Sequence, residues 1–208
     1  MVLGLAPNVV AQQRVRVNPR GSLGRMLVAV VGPSGAGKDT LMGLARARLE
    51  GDARFRFVQR SITRPAEAGG EAHRALSVAA FDAERAAGAF ALWWGAHGLF
   101  YGIPRDIEAD LAARRVVVAN LSRGTLAEAA GRYPLRVLNI TAPLAVLAAR
   151  LAARGRETAE DIAARLAREA ALPPGLDVAT VSNDATPEDG AARVVAELSR
   201  AAADARRS

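Results

Sequence analysis

The stretch M26-LVAVV-G32-PSGAG-K38-D39-T40 decides the fold. Six apolar residues lead into a glycine-rich turn, and the turn leads into a segment with apolar residues at helical spacing. A buried strand, a glycine loop and a helix in this order are the context that a phosphate-binding P-loop requires. Glycines let the backbone curl so that N–H groups point at phosphate oxygens, and the helix N-terminus adds partial positive charge. The stretch therefore predicts that residues 32–40 bind a nucleoside triphosphate.

The two residues at the end of this loop carry the chemistry. Lys38 is the only lysine of the chain, and its position predicts that it binds the β- and γ-phosphates. The next position normally holds a Ser or Thr ligand of magnesium, whereas this chain has Asp39. A carboxylate is a hard oxygen ligand, so Asp39 is a candidate for Mg²⁺, directly or through water. The helix dipole alone would also favour an acidic side chain there, and the two roles are compatible.

Composition narrows the classes of protein that the chain can belong to. Its 208 residues suit one domain, and the absence of cysteine excludes disulfides and thiolate metal sites. No stretch reaches the 18 apolar residues of a membrane helix. The net charge of +7 suits anionic substrates, and the few aromatic residues do not alternate with basic ones as in single-strand binders. We therefore expect a cytoplasmic protein that acts on small molecules, without a nucleic-acid or membrane partner.

The order of apolar segments predicts the architecture. Runs at 55–58, 116–119, 135–140 and 177–181 indicate further strands, and the intervening segments have helical spacing. Strands that alternate with helices imply a three-layer α/β fold with a parallel sheet, as in P-loop NTPases. Pro143 should start a helix with Leu144, Leu147 and Leu151 facing inward. The expected parts are a poorly ordered extension (1–24), a P-loop domain (25–202) with a substrate-binding insertion (60–104) and a helical lid (150–168), and a tail (203–208).

Polar clusters after the strands are candidate substrate contacts, because ligands of open α/β sheets bind at the carboxyl ends of strands. Arg60 and Arg64 could clamp a phosphate or form a solvated face. Asn120 follows a buried strand, and Asn183 after the last strand could contact adenine or turn the chain. The candidate substrate contacts from these clusters are Arg60, Arg64, Asn120, Ser122 and Arg123. A further candidate is Tyr101, because residues 98–104 are expected to form a tight turn that presents its hydroxyl group. The candidate ATP contacts are Gly32, Pro33, Ser34, Gly35, Ala36, Gly37, Lys38, Asp39, Thr40 and Asn183.

An arginine-rich segment spans 147–168, and its part 150–168 is the candidate lid. Mobile arginines that close over a triphosphate neutralise charge that develops in the transition state. Arg154 and Arg165 are the expected catalytic arginines, together with Lys38. The chain is rich in arginine, so other members of the segment, such as Arg150 and Arg168, could be ordinary surface residues.

The order of GPSGAGK, TRP, FYG, the arginine-rich segment and a late Asn-Asp pair resembles the guanylate-kinase fold over residues 26 to about 202. The residues that would read guanine are different, however. Guanylate kinases usually carry serine at the position of Arg60, glutamate at that of Leu92 and aspartate near Leu121. Their second phosphate-binding arginine corresponds to Glu67, and a phosphate-binding tyrosine corresponds to His73. A site without the base-reading carboxylates would leave the donors of guanine unpaired.

Another branch of the fold is more similar. The motifs GPSGAGKDTL, QRSITRP, E71-AHRALS, F90-ALW, WGAHG, Y101-GIP and VVVANLSR resemble ribose 1,5-bisphosphate phosphokinases. This resemblance implies an ATP- and Mg²⁺-dependent kinase that converts ribose 1,5-bisphosphate to 5-phosphoribosyl 1-diphosphate in phosphonate catabolism. It also implies that His73 belongs to the acceptor site. Alternatives are a guanylate kinase, a non-catalytic scaffold of the same fold and, with less support, a basic nucleic-acid binder.

Overall fold

The computed structural model describes residues 25–68, 71–152 and 171–207. The strands are β1 (Met26–Val31), β2 (Phe55–Phe57), β3 (Ser61–Ile62), β4 (Arg74–Ala75), β5 (Phe90–Ala96), β6 (Leu99–Pro104), β7 (Val116–Asn120), β8 (Leu135–Thr141) and β9 (Asp177–Ser182). The helices are α1 (Lys38–Arg48), α2 (Val78–Ala86), α3 (Ile107–Ala112), α4 (Leu126–Arg132), α5 (Leu144–Ala152) and α6 (Pro187–Arg207), with 3₁₀ turns at Ala66–Ala68 and Arg123–Thr125.

The central sheet has five parallel strands in the order β2-β7-β1-β8-β9. Alternate side chains of a strand point to opposite faces of the sheet. In the central strand, β1, both sets of side chains are buried. Val28 and Val30 join one apolar cluster, whereas Leu27, Ala29 and Val31 join the other. The run of apolar residues before the P-loop therefore forms the interior strand of a three-layer structure, as the sequence predicts.

Helices cover the two faces of this sheet. Leu41 of α1, Leu147 of α5 and Leu198 of α6 pack in the first cluster, and Ile107 of α3 and Leu126 of α4 pack in the second. These contacts confirm the predicted α/β architecture.

One detail of the helix predictions is wrong. Leu147 and Leu151 of α5 are buried, but Leu144 is 67% exposed. Leu144 is the first residue of the helix, one turn ahead of the turn that packs on the core, so its side chain points into solvent.

The segment 60–104 forms a second sheet, in the order β4-β3-β6-β5, together with α2. Strand β6 pairs antiparallel with both β3 and β5. Buried residues of this sheet, such as Leu92 and Ile103, pack in the second apolar cluster. The insertion is therefore attached to the same core as the central sheet.

Two other boundaries can be compared with the sequence predictions. The last helix continues through Arg207, because Ala201, Ala202 and Ala205 are buried; it thus extends into the segment expected to be a tail. The predicted extension (1–24) and most of the predicted lid (153–168) lie outside the described residues. Within the described ranges, no helix has the length and apolar character needed to cross a membrane.

Candidate active site

The P-loop follows β1 at the carboxyl edge of the central sheet. Gly32 has φ +151°, and a Cβ atom there would lie 1.9 Å from the Ile140 carbonyl oxygen of β8. Gly35 and Gly37 have φ values of +86° and +81°, a region that glycine occupies at little cost. Gly32 therefore allows the loop backbone to pass close to β8, and Gly35 and Gly37 allow the loop to adopt its tightly curved conformation.

The side chains of the loop and of the first turn of α1 have distinct environments. Lys38 begins α1, and its ammonium group donates to the carbonyl oxygens of Gly32 (2.7 Å) and Pro33 (2.9 Å). Ser34, Asp39 and Thr40 are exposed. The loop thus presents a cation and a helix N-terminus at one place, which is the arrangement that binds phosphate oxygens.

Asn183 and Arg150 hold the loop from the side of the first apolar cluster. The Asn183 side chain is 5% exposed, and its Nδ2 donates to the Ala36 carbonyl oxygen over 2.8 Å. Nη1 of Arg150 lies 3.5 Å from the Gly35 carbonyl oxygen, and its Nη2 donates to the Asn183 carbonyl oxygen (3.3 Å). The structure thus connects Asn183 to the loop backbone, and its contact with adenine stays a prediction.

The residue beside Asn183 carries a stabilised negative charge. Hydrogen bonds from the Ser182 hydroxyl and the Arg193 guanidinium lower the pKa of the Asp184 carboxyl group below its ordinary value. The turn after β9 is therefore linked to α6, which contains Arg193.

A second polar cluster lies between the insertion and the end of β7. Nε of Arg60 donates to Oε1 of Glu71 over 2.8 Å, and Nη2 of Arg60 donates to the same oxygen. The Asn120 amide donates to Oε2 of Glu71 over 3.3 Å. The side chains of Arg60 and Glu71 are only 11% and 19% exposed, so this ion pair is shielded from screening by solvent. Two predicted acceptor residues, Arg60 and Asn120, are thus brought together by a third residue.

An aromatic pair supports this cluster. The tight turn predicted at 98–104 is wrong: the chain turns at His97 and Gly98, and Leu99–Pro104 form β6, so Tyr101 lies in a strand. Trp94 and Tyr101 face each other across β5 and β6, with stacked rings 5.3 Å apart. The Arg60 guanidinium carbon lies 5.7 Å from the Trp94 ring centre and 5.1 Å from that of Tyr101, within the range of cation–π attraction. Trp93 points the other way, is 41% exposed and lies under Arg85. The two tryptophans therefore have different roles, which their adjacency in the sequence does not indicate.

Arg64 and His73 form the next part of the cluster. Nη2 of Arg64 lies 3.3 Å from Nδ1 of His73, and Nε2 of His73 lies 3.0 Å from the Arg64 carbonyl oxygen. The same Nδ1 is 3.0 Å from the Glu71 carbonyl oxygen. Nε of Arg64 is buried and has no hydrogen-bond partner within the described ranges. A buried N–H group of a guanidinium suits an anionic ligand, because leaving it unpaired is costly.

A cleft lies between α1 and the polar cluster around Glu71. Its volume is about 210 Å³, and the residues that line it include Asp39 and Met42 of α1, Glu71 and Asn120. No group of three or more His, Cys, Asp or Glu residues that could hold a metal occurs in the ranges that the structure describes. Magnesium in kinases is held by one or two carboxylates together with substrate phosphates, and Asp39 at the rim of this cleft fits that kind of site.

The remaining predicted residues are less closely connected to the cleft. The Ser122 hydroxyl accepts a hydrogen bond from the Gly124 amide (3.4 Å) and caps the 3₁₀ turn that begins at Arg123. Substrate contacts of Ser122 and Arg123 stay predictions. The predicted catalytic arginines, Arg154 and Arg165, lie outside the described residues.

Sequence reasoning missed three residues of this site. Glu71 lies in one of the quoted motifs, but no local pattern links it to Arg60 and Asn120, which are 11 and 49 positions away. Trp94 could not be told from Trp93, and Arg150 could not be told from the other arginines of its segment. The sequence of β5, FALWWGA, contains only apolar residues and glycine, so no alternation in it separates the two tryptophans.

Comparison with known proteins supports one family. The chain is 48% identical over 175 residues to a ribose 1,5-bisphosphate phosphokinase of Rhizobium etli, covering 83% of this chain and 89% of that protein. It is 51% identical over 174 residues to the protein of the same name from Acidiphilium cryptum, covering 84% and 92%. A bifunctional ribose 1,5-bisphosphokinase–thymidine phosphorylase of Azorhizobium caulinodans is 54% identical over 171 residues, which are 81% of this chain and 25% of that longer protein.

The comparison with solved structures supports the fold. The crystal structure of guanylate kinase from Anaplasma phagocytophilum matches with a TM-score of 0.61 and 17% identity, over 86% of each chain. At this identity the likeness concerns the fold alone. No protein-family model matches the chain.

Proposed function

The chain belongs to the ribose 1,5-bisphosphate phosphokinase family, and we propose that it transfers the γ-phosphoryl group of ATP to the 1-phosphate of α-D-ribose 1,5-bisphosphate. The products are 5-phospho-α-D-ribose 1-diphosphate and ADP, and the reaction serves phosphonate catabolism in the cytoplasm. A phosphate nucleophile is already ionised at neutral pH. The reaction therefore needs positioning and neutralisation of charge rather than a general base.

The choice of acceptor rests on one observation. The position at which guanylate kinases usually carry a base-reading glutamate holds Leu92, which is 0% exposed and belongs to the apolar core. Near Leu121, where those enzymes carry an aspartate, residues 120–123 are Asn, Leu, Ser and Arg, so neither place offers a carboxylate to the base. Arg60 occupies the position of the third base-contacting residue and pairs with Glu71. A site of this kind suits an acceptor that carries phosphates and hydroxyl groups but no base.

Each half of the site would have a separate task. Lys38, the loop amides and the N-terminus of α1 would bind the triphosphate, and Asp39 would bind Mg²⁺. When bound, Mg²⁺ would offset negative charge on the β- and γ-phosphates. Arg60, Arg64, His73 and the Tyr101 hydroxyl would hold the sugar bisphosphate; Asn120, Ser122 and Arg123 are the remaining proposed contacts, and Asn183 a proposed contact of adenine. Arg154 and Arg165 would close over the triphosphate.

A competition assay tests the proposal. The purified protein with ATP and Mg²⁺ is given ribose 1,5-bisphosphate and GMP side by side, and ADP and the phosphorylated products are measured. We expect turnover of the sugar bisphosphate to exceed that of GMP by at least about 100-fold, the discrimination expected when base donors are left unpaired. Faster turnover of GMP would identify a nucleotide kinase. Binding of ATP without turnover of either acceptor would identify a scaffold.

A further inference from the structure

Glu71 connects most of the proposed acceptor site. Its two carboxylate oxygens accept from Arg60 and Asn120, and its carbonyl oxygen lies 3.0 Å from His73. Arg64 joins the network through His73, and Tyr101 joins it under the Arg60 guanidinium. The loop that carries Glu71 is thereby attached both to the insertion and to the central sheet.

The way in which Glu71 holds Arg60 leaves part of the guanidinium available. A guanidinium has five N–H donors in a rigid fork. Glu71 accepts from the side formed by Nε and Nη2, and the rings of Trp94 and Tyr101 lie within cation–π distance of the guanidinium. The end formed by Nη1 and Nη2 can still bind two oxygens of a phosphate. The carboxylate and the aromatic pair therefore restrict the direction in which this free end points.

We propose that Glu71 is the positioning residue of the acceptor site, which holds Arg60 and Asn120 in the arrangement that binds the sugar bisphosphate. This inference rests on the proposed function for the identity of the acceptor. Glu71 has no part in the transfer itself, and it acts through the two side chains that it holds. Its negative charge also faces the cleft, which disfavours anions that do not reach the free end of Arg60.

Two opposing effects decide the sign of the expected change. Removal of the carboxylate takes one negative charge away from an anionic acceptor, which favours binding. It also releases a long arginine side chain, whose guanidinium then no longer points at the acceptor, and this opposes binding. The second effect is larger, because a misdirected guanidinium loses its charge-assisted, bidentate hydrogen bonds with the phosphate.

The first measurement compares Glu71→Ala with Glu50→Ala. Glu50 is an exposed glutamate just after α1, and its replacement removes the same charge. We expect Glu71→Ala to raise the KM for ribose 1,5-bisphosphate about 10- to 100-fold, the loss of a charge-assisted hydrogen bond, and to change the KM for ATP less than about 2-fold. Glu50→Ala should leave both values near wild type. An unchanged or lower acceptor KM in Glu71→Ala, or an equal rise in the KM for ATP, would overturn the proposal.

Two further variants separate positioning from a structural role. Glu71→Gln keeps an oxygen that accepts from Arg60, so we expect it to restore the acceptor KM to within about 5-fold of wild type. Glu71→Ala combined with Arg60→Ala should raise the acceptor KM no more than about 3-fold beyond Arg60→Ala alone, since the two changes interrupt one interaction. If the two substitutions instead raised the acceptor KM by independent factors that multiply, Glu71 would not act through Arg60. If Glu71→Ala does not fold, Glu71→Asp takes its place, because its shorter carboxylate cannot reach Arg60 in the same geometry.

A measurement that does not depend on catalysis distinguishes a failure of this inference from a failure of the proposed function. In a Trp93→Phe background, Trp94 is the only tryptophan, and the Arg60 guanidinium lies beside its ring. We expect Glu71→Ala to shift the fluorescence emission of Trp94 and Glu50→Ala to leave it unchanged. If wild type does not phosphorylate the sugar bisphosphate but this shift occurs, the proposed acceptor is wrong and the positioning of Arg60 stands. No shift would contradict the positioning itself.

Discussion

Replacement of Gly32 by alanine tests the contact between the P-loop and β8. A Cβ atom at this position would lie 1.9 Å from the Ile140 carbonyl oxygen, and the backbone has φ +151°. The neighbour is backbone in the middle of a parallel sheet, so it cannot rotate away as a side chain would. Forcing a methyl group into such a place costs about 1–3 kcal/mol, and a side chain at positive φ costs about 1–2 kcal/mol more.

The steric cost and the cost of the positive φ together set the expected loss of stability. Their sum is about 2–5 kcal/mol, which lowers the melting temperature of a chain of this length by about 5–15 °C. Because β8 and the loop move apart, we also expect weaker binding of ATP. Thermal unfolding and titration with ATP measure the two effects.

Gly131→Ala is the matched control, because nothing lies within 4 Å of the added Cβ atom and the residue is part of α4. It should leave stability unchanged or raise it by up to about 1 kcal/mol, the difference in helix propensity. A melting temperature of Gly32→Ala within about 2 °C of that of Gly131→Ala would refute the reasoning.

Two other predictions concern single side chains. Asn183→Ala removes the donor to the Ala36 carbonyl oxygen. We expect it to lower the free energy of unfolding by about 1–3 kcal/mol and to weaken ATP binding. Unchanged results in unfolding and in titration with ATP would contradict the role of Asn183 in supporting the loop. The Arg54 side chain, through its hydrogen bond, lowers the pKa of Asp52 from 3.8 to about 2. Stability from this pair is therefore complete above about pH 4 and lost as the pH falls towards 2. The difference in melting temperature between wild type and Asp52→Asn should therefore shrink as the pH falls from about 4 to about 2. A difference that stays constant would show that the pair with Arg54 does not stabilise the fold.

The parts of the fold that could be predicted depend on neighbouring residues in the chain. The P-loop is recognisable because strand, glycines, lysine and helix lie within residues 26–48, and β7, β8 and β9 are recognisable as apolar runs. The error at Leu144 has the same origin. Helical spacing tells which residues share a face, but it does not tell where along the helix the core begins.

The proposed acceptor site could be predicted only as a set of residues. Arg60 and Asn120 follow from strand ends, and Tyr101 follows from a predicted turn and from the family resemblance. The structure connects Arg60 and Asn120 through Glu71 and places Tyr101 beside Arg60. The role of Glu71 depends on the register between β3 and β6 and on the position of β7, which no local pattern contains. Of two adjacent tryptophans, only Trp94 contacts Arg60, because successive side chains of a strand point to opposite faces.

The sequence by itself determined the parallel α/β core, the glycine-rich P-loop with Lys38 and Asp39, and the family. Only the tertiary structure decided that Glu71 joins the proposed acceptor residues and that Asn183 supports the loop, 147 positions from its partner Ala36. The physical reason is the range of the interactions. A loop conformation follows from the residues that compose it, whereas a hydrogen bond between distant residues exists only once the order and register of the strands bring them within about 3 Å.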